Sequence, residues 1–187
     1  RTAHASGSFR CLFPLRPSRF DYKHQQLYAF DTGVILNGLC EVIRLTGRRD
    51  LLATAGRAGD WLIESAQLPN GGFQAVFDLS EGRYLLNDAE WSLCPGSYHT
   101  KVAIGLLNLA SLTGETRYRD AAVRVCDFAL SFQQPDGRFV SFPSEGGTNA
   151  HAHAYSAEGL WVAGSLLERD DYLQSSVRAT EWLLHWQ

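Results

Sequence analysis

The chain has 187 residues, 45% of them hydrophobic, with 17 Lys and Arg against 20 Asp and Glu for a formal charge of −3. That length suits one domain with a real core, and the composition is that of an ordinary globular protein. A near-balanced charge lacks the basic footprint of a general nucleic-acid binder, and no apolar run approaches the roughly 18 to 20 residues of a membrane span.

Read from its start, the chain begins at Arg1 and contains no Met. We therefore expect a processed protein, a fragment or an incomplete reading of a larger one; no signal peptide is visible. Residues 1–30 mix Gly, Pro, Arg and aromatics without helical periodicity. They read as an extended or looped segment packed on the first hairpin, or as the tail of an earlier element. Six helices are expected after it, over about 31–46, 50–66, 98–113, 115–133, 152–167 and 170–186. Gly47 and Gly114 each follow a Leu-Thr pair and suit a left-handed C-terminal cap. Asp31 and Ser97 are candidate N-caps.

The helices pair into hairpins over residues 31–66, 98–133 and 152–187, and the hairpins repeat. Gly38 and Gly105 are 67 apart, as are Gly47 and Gly114; Gly105 and Gly159 are 54 apart, as are His99 and His153. One such unit cannot bury its apolar face alone, so a repeat implies stacking. The third helix is apolar nearly all round (Val102, Ala103, Ile104, Leu106, Leu107, Leu109), as a helix buried on all sides would be. The fourth has Tyr118, Ala121, Ala122 and Val125 on one stripe and Arg117, Arg119, Asp120 and Arg124 opposite, as a half-solvated helix would. Odd helices inside and even helices outside make an all-α fold, an α/α toroid. Three hairpins are an incomplete ring.

Connections within hairpins are a few residues long, whereas those between them run over about 67–97 and 134–151. Long loops in compact domains usually carry function. The end where the odd helices begin is therefore the expected working face. Both loops open on turn signals, Pro69-Asn70-Gly71-Gly72 and Pro135-Asp136-Gly137, followed by Phe73 and Phe139. The four cysteines form no CxxC and no disulfide framework, which leans towards a reducing compartment and leaves periplasm and secretion open. There is no GxGxxG, P-loop, HExxH or GxSxG. No redox cofactor and no metal ligand set is implied.

Phe30-Asp31-Thr32-Gly33, the Leu-Thr-Gly turns, the Gln-x-Pro-Asp-Gly-x-Phe turn at Gln133 and the His153-x-x-Ser156-Ala157-Glu158-Gly159-Leu160 run together resemble the six-hairpin (α/α)6 toroid proteins of carbohydrate metabolism. Within these the chain resembles most a group of bacterial toroid proteins associated with polysaccharide biosynthesis, with unsaturated glucuronyl hydrolases, N-acylglucosamine 2-epimerases, glucuronyl C5-epimerases and several polysaccharide lyases as relatives. The resemblance covers residues 28–187 and implies acid/base chemistry on a polysaccharide or uronate-containing glycan, by hydrolysis, elimination or epimerisation. It also implies about twelve helices, so a second chain or a missing segment would complete the ring. Tyr98-His99-Thr100 with Gly105-Leu106 resembles a stretch of protein prenyltransferase β subunits whose His binds zinc, but the accompanying Asp-x-Cys pair is absent. An isoprenoid cyclase or transferase is thus a second reading, against which Asp170-Asp171 falls in a short turn at the wrong end. A non-catalytic glycan- or protein-binding scaffold is a third.

For catalysis the candidates are His153, His99, Tyr155, Asp31, Asp88 and Glu90. The two histidines share one slot at the first turn of inner helices, with Thr32 in the same slot of the first. On a toroid that slot should face the cavity, where imidazole transfers protons near neutral pH. Tyr155 would assist as an acid, and Asp31, Asp88 or Glu90 would supply carboxylates. For substrate binding the candidates are Trp91, Tyr98, His151 and Glu158; helical spacing puts His151, Tyr155 and Glu158 along one face. Arg10, Arg16 and Arg19 are candidate partners for a uronate carboxylate. Trp61 and Trp182 occupy a repeated outer-helix position and read as packing. Trp161 reads as core.

Overall fold

The computed structural model describes residues 3–13, 15–142 and 144–185. Helix α1 spans Ala29–Thr46, α2 Leu52–Trp61, α3 Thr100–Thr113, α4 Thr116–Leu130, α5 Ala150–Leu167 and α6 Asp170–His185. A π turn, Leu62–Ala66, extends α2. The expected end of the last helix, Trp186, lies outside the described residues. The odd helices α1, α3 and α5 pack side by side as an inner layer, and α2, α4 and α6 cover them from outside. Val102, Leu106 and Leu109 of α3 are wholly buried, as are Ala121, Ala122 and Val125 of α4. The apolar stripes thus meet between the layers.

The inner helices approach closely because glycine sits where they cross. A Cβ on Gly105 would lie 2.6 Å from the Gly33 carbonyl oxygen of α1, and one on Gly159 would lie 2.3 Å from the Thr100 hydroxyl of α3. Any side chain there would push the layer apart. Gly47 and Gly114 end α1 and α3 with φ of 71° and 77°, the left-handed cap expected of them. Glu168 does the same for α5 at φ 55° without glycine's freedom. The N-caps differ from expectation. Helix α1 begins at Ala29, so Asp31 lies inside its first turn, and Ser97 opens a 3-10 turn rather than capping α3. The side-chain cap is on α5, where Asn149 accepts from His151 N–H and Ala152 N–H.

The segment before α1 is not simply extended. Its last residues form β1, Gln26–Tyr28, which pairs antiparallel with β2, Val76–Asp78; β2 pairs in turn with β3, Arg83–Leu85. Asp78 closes the β2–β3 turn by accepting from Ser80 and Glu81 N–H and from Gln26. Two strands of this small sheet, β2 and β3, lie in the first long connection, and β1 leads directly into the start of α1.

The same segment also contains a third copy of the turn that opens each long loop. Antiparallel bridges join Ala3 to Phe9, Gln67 to Phe73 and Gln133 to Phe139. In each turn a glycine with positive φ (Gly7, Gly71, Gly137) presses on an outer-helix carbonyl, that of Arg57, Arg124 or Arg178. The sequence around Gly7 lacks the proline of the other two turns, which hid the likeness.

Candidate functional site

The long-loop end carries a rim built from several elements. Asp31, in the first turn of α1, is half-buried beside Cys11, and with Arg10, Phe30, Val34 and Ile35 they line a cleft of about 290 Å³. Burial raises the Asp31 carboxyl above the ordinary aspartate range, against the Cys11 thiol hydrogen bond and the Lys23 charge. Burial first, then the Asp31 charge, pushes the Cys11 thiol up to about 12, so it stays protonated and donates to the carboxylate. Tyr28 and Tyr98 both feel the Asp31 charge, though burial is what chiefly raises each. Glu90 also acts on Tyr28, and Asp88 on Cys94. Glu90 is thus within electrostatic reach of the tyrosine that Asp31 also faces, and both loop acids are exposed.

Aromatic rings line that rim. Phe30 lies 5.7 Å from Tyr98 and 5.0 Å from Tyr155 between centroids, and Trp91 meets Tyr98 edge-on at 5.1 Å. His151 is exposed and 6.5 Å from Tyr155. Tyr98 is buried and donates to the Cys94 carbonyl.

Below the rim, the inner layer presents polar groups on the face away from the outer helices. Lys101 pairs with Glu158 at 2.6 Å, bridging α3 to α5. Asn108 donates to Asn37 at 2.7 Å, bridging α3 to α1. A larger hollow of about 440 Å³ lies at the opposite, short-turn end, beside Glu41, Arg44, Asn108 and Arg119. Glu41 and Arg44 pair with each other there. Size alone does not make it the site, because the desolvated carboxyl and the aromatic rings are at the other end.

No family model matches the chain, and no curated protein sequence does. Solved structures match over nearly its whole length. An unsaturated glucuronyl hydrolase of Bacillus sp. GL1, described as responsible for glycosaminoglycan degradation, superposes with a TM-score of 0.67 at 14% identity, over 95% of this chain and 50% of its own. The GH76 α-mannanase of Bacteroides thetaiotaomicron gives 0.65 at 13%, over 92% and 43%. A polysaccharide lyase gives 0.61 at 15%, over 83% and 47%. The chain is an arc of an α/α toroid. It spans about half the length of the toroids it matches, and at these identities the likeness is one of fold.

On this toroid arc, the sequence candidates separate into two groups. Asp31, Glu90, Trp91, Tyr98, Tyr155 and His151 gather at the rim, and Asp88 stands in the loop beside Cys94. Glu158 sits one step lower, held by Lys101. The histidine slot does not face the cavity. His99 and His153 are wholly buried between the inner and outer layers. His153 accepts the Phe139 N–H at Nδ1 (3.0 Å) and donates from Nε2 to the Ala179 carbonyl (2.8 Å). It ties the turn of one loop to α5 and α6. Thr32 does the first half of this job for the first repeat, accepting the Phe9 N–H at 3.3 Å. His99 stacks on Tyr98 at 4.0 Å with no group of the described residues in hydrogen-bonding geometry to either ring nitrogen, and burial, opposed by the Gly96 backbone, pushes its pKa down to about 3. Both histidines are thus placed away from the rim expected of them, and His153 is held there by backbone groups of the turn and of α6. No group of three His, Cys, Asp or Glu among the described residues could hold a metal. The exposed Trp161 corrects the expectation that it is core.

The sequence reading missed Cys11, Tyr28, Phe30 and Lys101. Phe30 adjoins Asp31 in the chain, so its place beside that carboxyl was within reach. Cys11 lies 20 residues from Asp31 and meets it only because the Arg10–Leu27 bridge lays its segment along β1.

Proposed function

We propose that the loop-end rim binds a carbohydrate and that Asp31 is its proton-transferring carboxyl at a sugar ring. The observation that carries this reading is Asp31 itself, a carboxyl in the first turn of an inner helix, held above its ordinary pKa by burial and opening on a cleft that it shares with Arg10 and Phe30. A desolvated carboxyl holds a proton closer to neutral pH and serves as a general acid. Glu90, the second acid acting on Tyr28, is the candidate partner, since glycoside chemistry usually takes two carboxyl groups. Trp91 and Tyr155 offer flat apolar surfaces to the C–H faces of a sugar, and His151 a polar contact beside Tyr155. The printed activities of the superposed toroids, a mannanase, a glucuronyl hydrolase and a polysaccharide lyase, support a glycan as ligand. The paired charges on the inner face, Lys101–Glu158 above all, disfavour an isoprenoid cavity.

The test is binding and turnover of mannan, uronate oligosaccharides and unsaturated glucuronyl disaccharides by wild type and Asp31→Asn. We expect one class to bind both proteins, with turnover at least about 100-fold lower in the variant. Equal turnover would remove Asp31 from the chemistry, and no binding by wild type would remove the glycan.

A further inference from the structure

Below the rim the inner helices carry an ion pair that the repeat does not call for. Lys101 of α3 donates to Glu158 of α5 at 2.6 Å. The repeat offsets of 67 and 54 put Val34 and Tyr155 in the slot of Lys101, and Asn37 and Ile104 in that of Glu158. Packing of the layer therefore requires neither charge, and an ion pair open to solvent adds little stability. Lys101 is nonetheless drawn in, its side chain 19% exposed against 56% for that of Glu158. Helix α3 has an inner helix on either side, so Lys101 stands in the middle of the arc.

Among the described residues neither side chain makes a second hydrogen bond or ion pair. An ammonium has three donors and a carboxylate accepts several bonds, so both keep capacity to spare, side by side. Tyr155 lies three residues before Glu158 on the same face of α5. Its ring is 5.0 Å from that of Phe30, the chain neighbour of Asp31. Two rings thus lead from the Asp31 cleft to the pair. Gauche hydroxyls on neighbouring carbons of a sugar are spaced much as Lys101 Nζ and Glu158 Oε1 are. One can accept from the ammonium while the other donates to the carboxylate. We propose that Lys101, Glu158 and Tyr155 form a second sugar subsite, the charged pair recognising a vicinal diol and the ring carrying the apolar face of the same unit. The ligand of the rim is then an oligosaccharide of at least two units. This rests on the rim being a carbohydrate site.

Calorimetric titration with the mono- and disaccharides of mannan and of polyglucuronate tests it. In one series wild type should bind the disaccharide at least about 10-fold more tightly than the monosaccharide. Lys101→Met should lose that gain and keep its affinity for the monosaccharide, whereas Lys101→Arg should retain most of the gain and Asp31→Asn all of it. Glu158→Ala should show the same loss as Lys101→Met at the exposed partner, where folding is not at stake. A disaccharide lacking one hydroxyl of the diol should bind wild type as the full one binds Lys101→Met. Equal affinity of wild type for mono- and disaccharide, or a gain that survives Lys101→Met and Glu158→Ala, would overturn the subsite and leave the glycan reading of the rim standing. No binding by any of the proteins would overturn both.

Discussion

The second and third hairpins are built on one plan and are imperfect at opposite ends. In the third, His153 has both ring nitrogens bonded to backbone, but Glu168 must take a left-handed conformation to end α5. In the second, Gly114 ends α3 without strain, but His99 is buried with neither nitrogen bonded. The rings sit alike against their turns, 5.9 Å from Phe73 to His99 and 5.8 Å from Phe139 to His153. Backbone register, set by glycines at close crossings, is thus held more tightly across repeats than the polar contacts built on it. A buried polar group without a partner costs free energy that a bonded one does not.

Acidification should separate the two hairpins most. Burial pushes the His99 pKa down to about 3 from an ordinary 6.5, so the unfolded chain takes up this proton first. Its contribution is whole above about pH 6.5 and is lost as pH falls towards 3, at up to about 1.4 kcal/mol per pH unit. His153 is lowered in the same direction. Asp31 runs the other way, because its raised pKa favours the folded state at low pH and that contribution is lost as pH rises through its folded value. Urea midpoints measured from pH 7 to pH 4 should fall steeply for wild type and less steeply for His99→Leu. Parallel curves would mean that His99 is not held neutral in the folded protein.

At neutral pH the same slot should give unequal losses. His153→Ala removes the acceptor of one buried N–H and the donor to one buried carbonyl, and leaves a cavity, for about 3 kcal/mol. His99→Leu fills a similar volume and removes two unbonded nitrogens, so it should be neutral or stabilising by about 1 kcal/mol. Denaturant midpoints with unchanged slopes decide this. A loss above about 2 kcal/mol in His99→Leu would show that its nitrogens have partners, a buried water among them.

The helices, their layering and the working end were legible because they rest on periodicity, repeat offsets and loop length, all local to the chain. The rim acids Asp31, Asp88 and Glu90 were legible as residue types at that end. The direction of the histidine slot was not. A side chain at the first turn of an inner helix can point to the lumen or to the outer layer, and the bonds that decide it come from Phe139 and Ala179, 14 and 26 residues away. Cys11 was hidden for a like reason, since only the Arg10–Leu27 bridge to β1 brings it to Asp31. Trp161 was misplaced because its burial depends on a neighbour on the far side of α5, where none of the described residues packs on it.

The cap of the third hairpin offers the smallest effect and the cleanest comparison. Gly47, Gly114 and Glu168 occupy one repeat position, each with φ between 55° and 77° and each donating its N–H to a carbonyl of the last turn. A side chain in the left-handed region costs about 1 to 2 kcal/mol, partly offset by the greater freedom glycine loses on folding. Glu168 is exposed, so replacing it removes no packing. Glu168→Gly should therefore raise stability by about 1 kcal/mol, and Gly114→Ala should lower it by a similar amount. Thermal midpoints moving in opposite directions would show that the three caps are energetically one site. If Glu168→Gly lowered the midpoint, the side chain would be making a stabilising contact that outweighs its strain, and the third hairpin would owe its end to that contact instead of to backbone geometry.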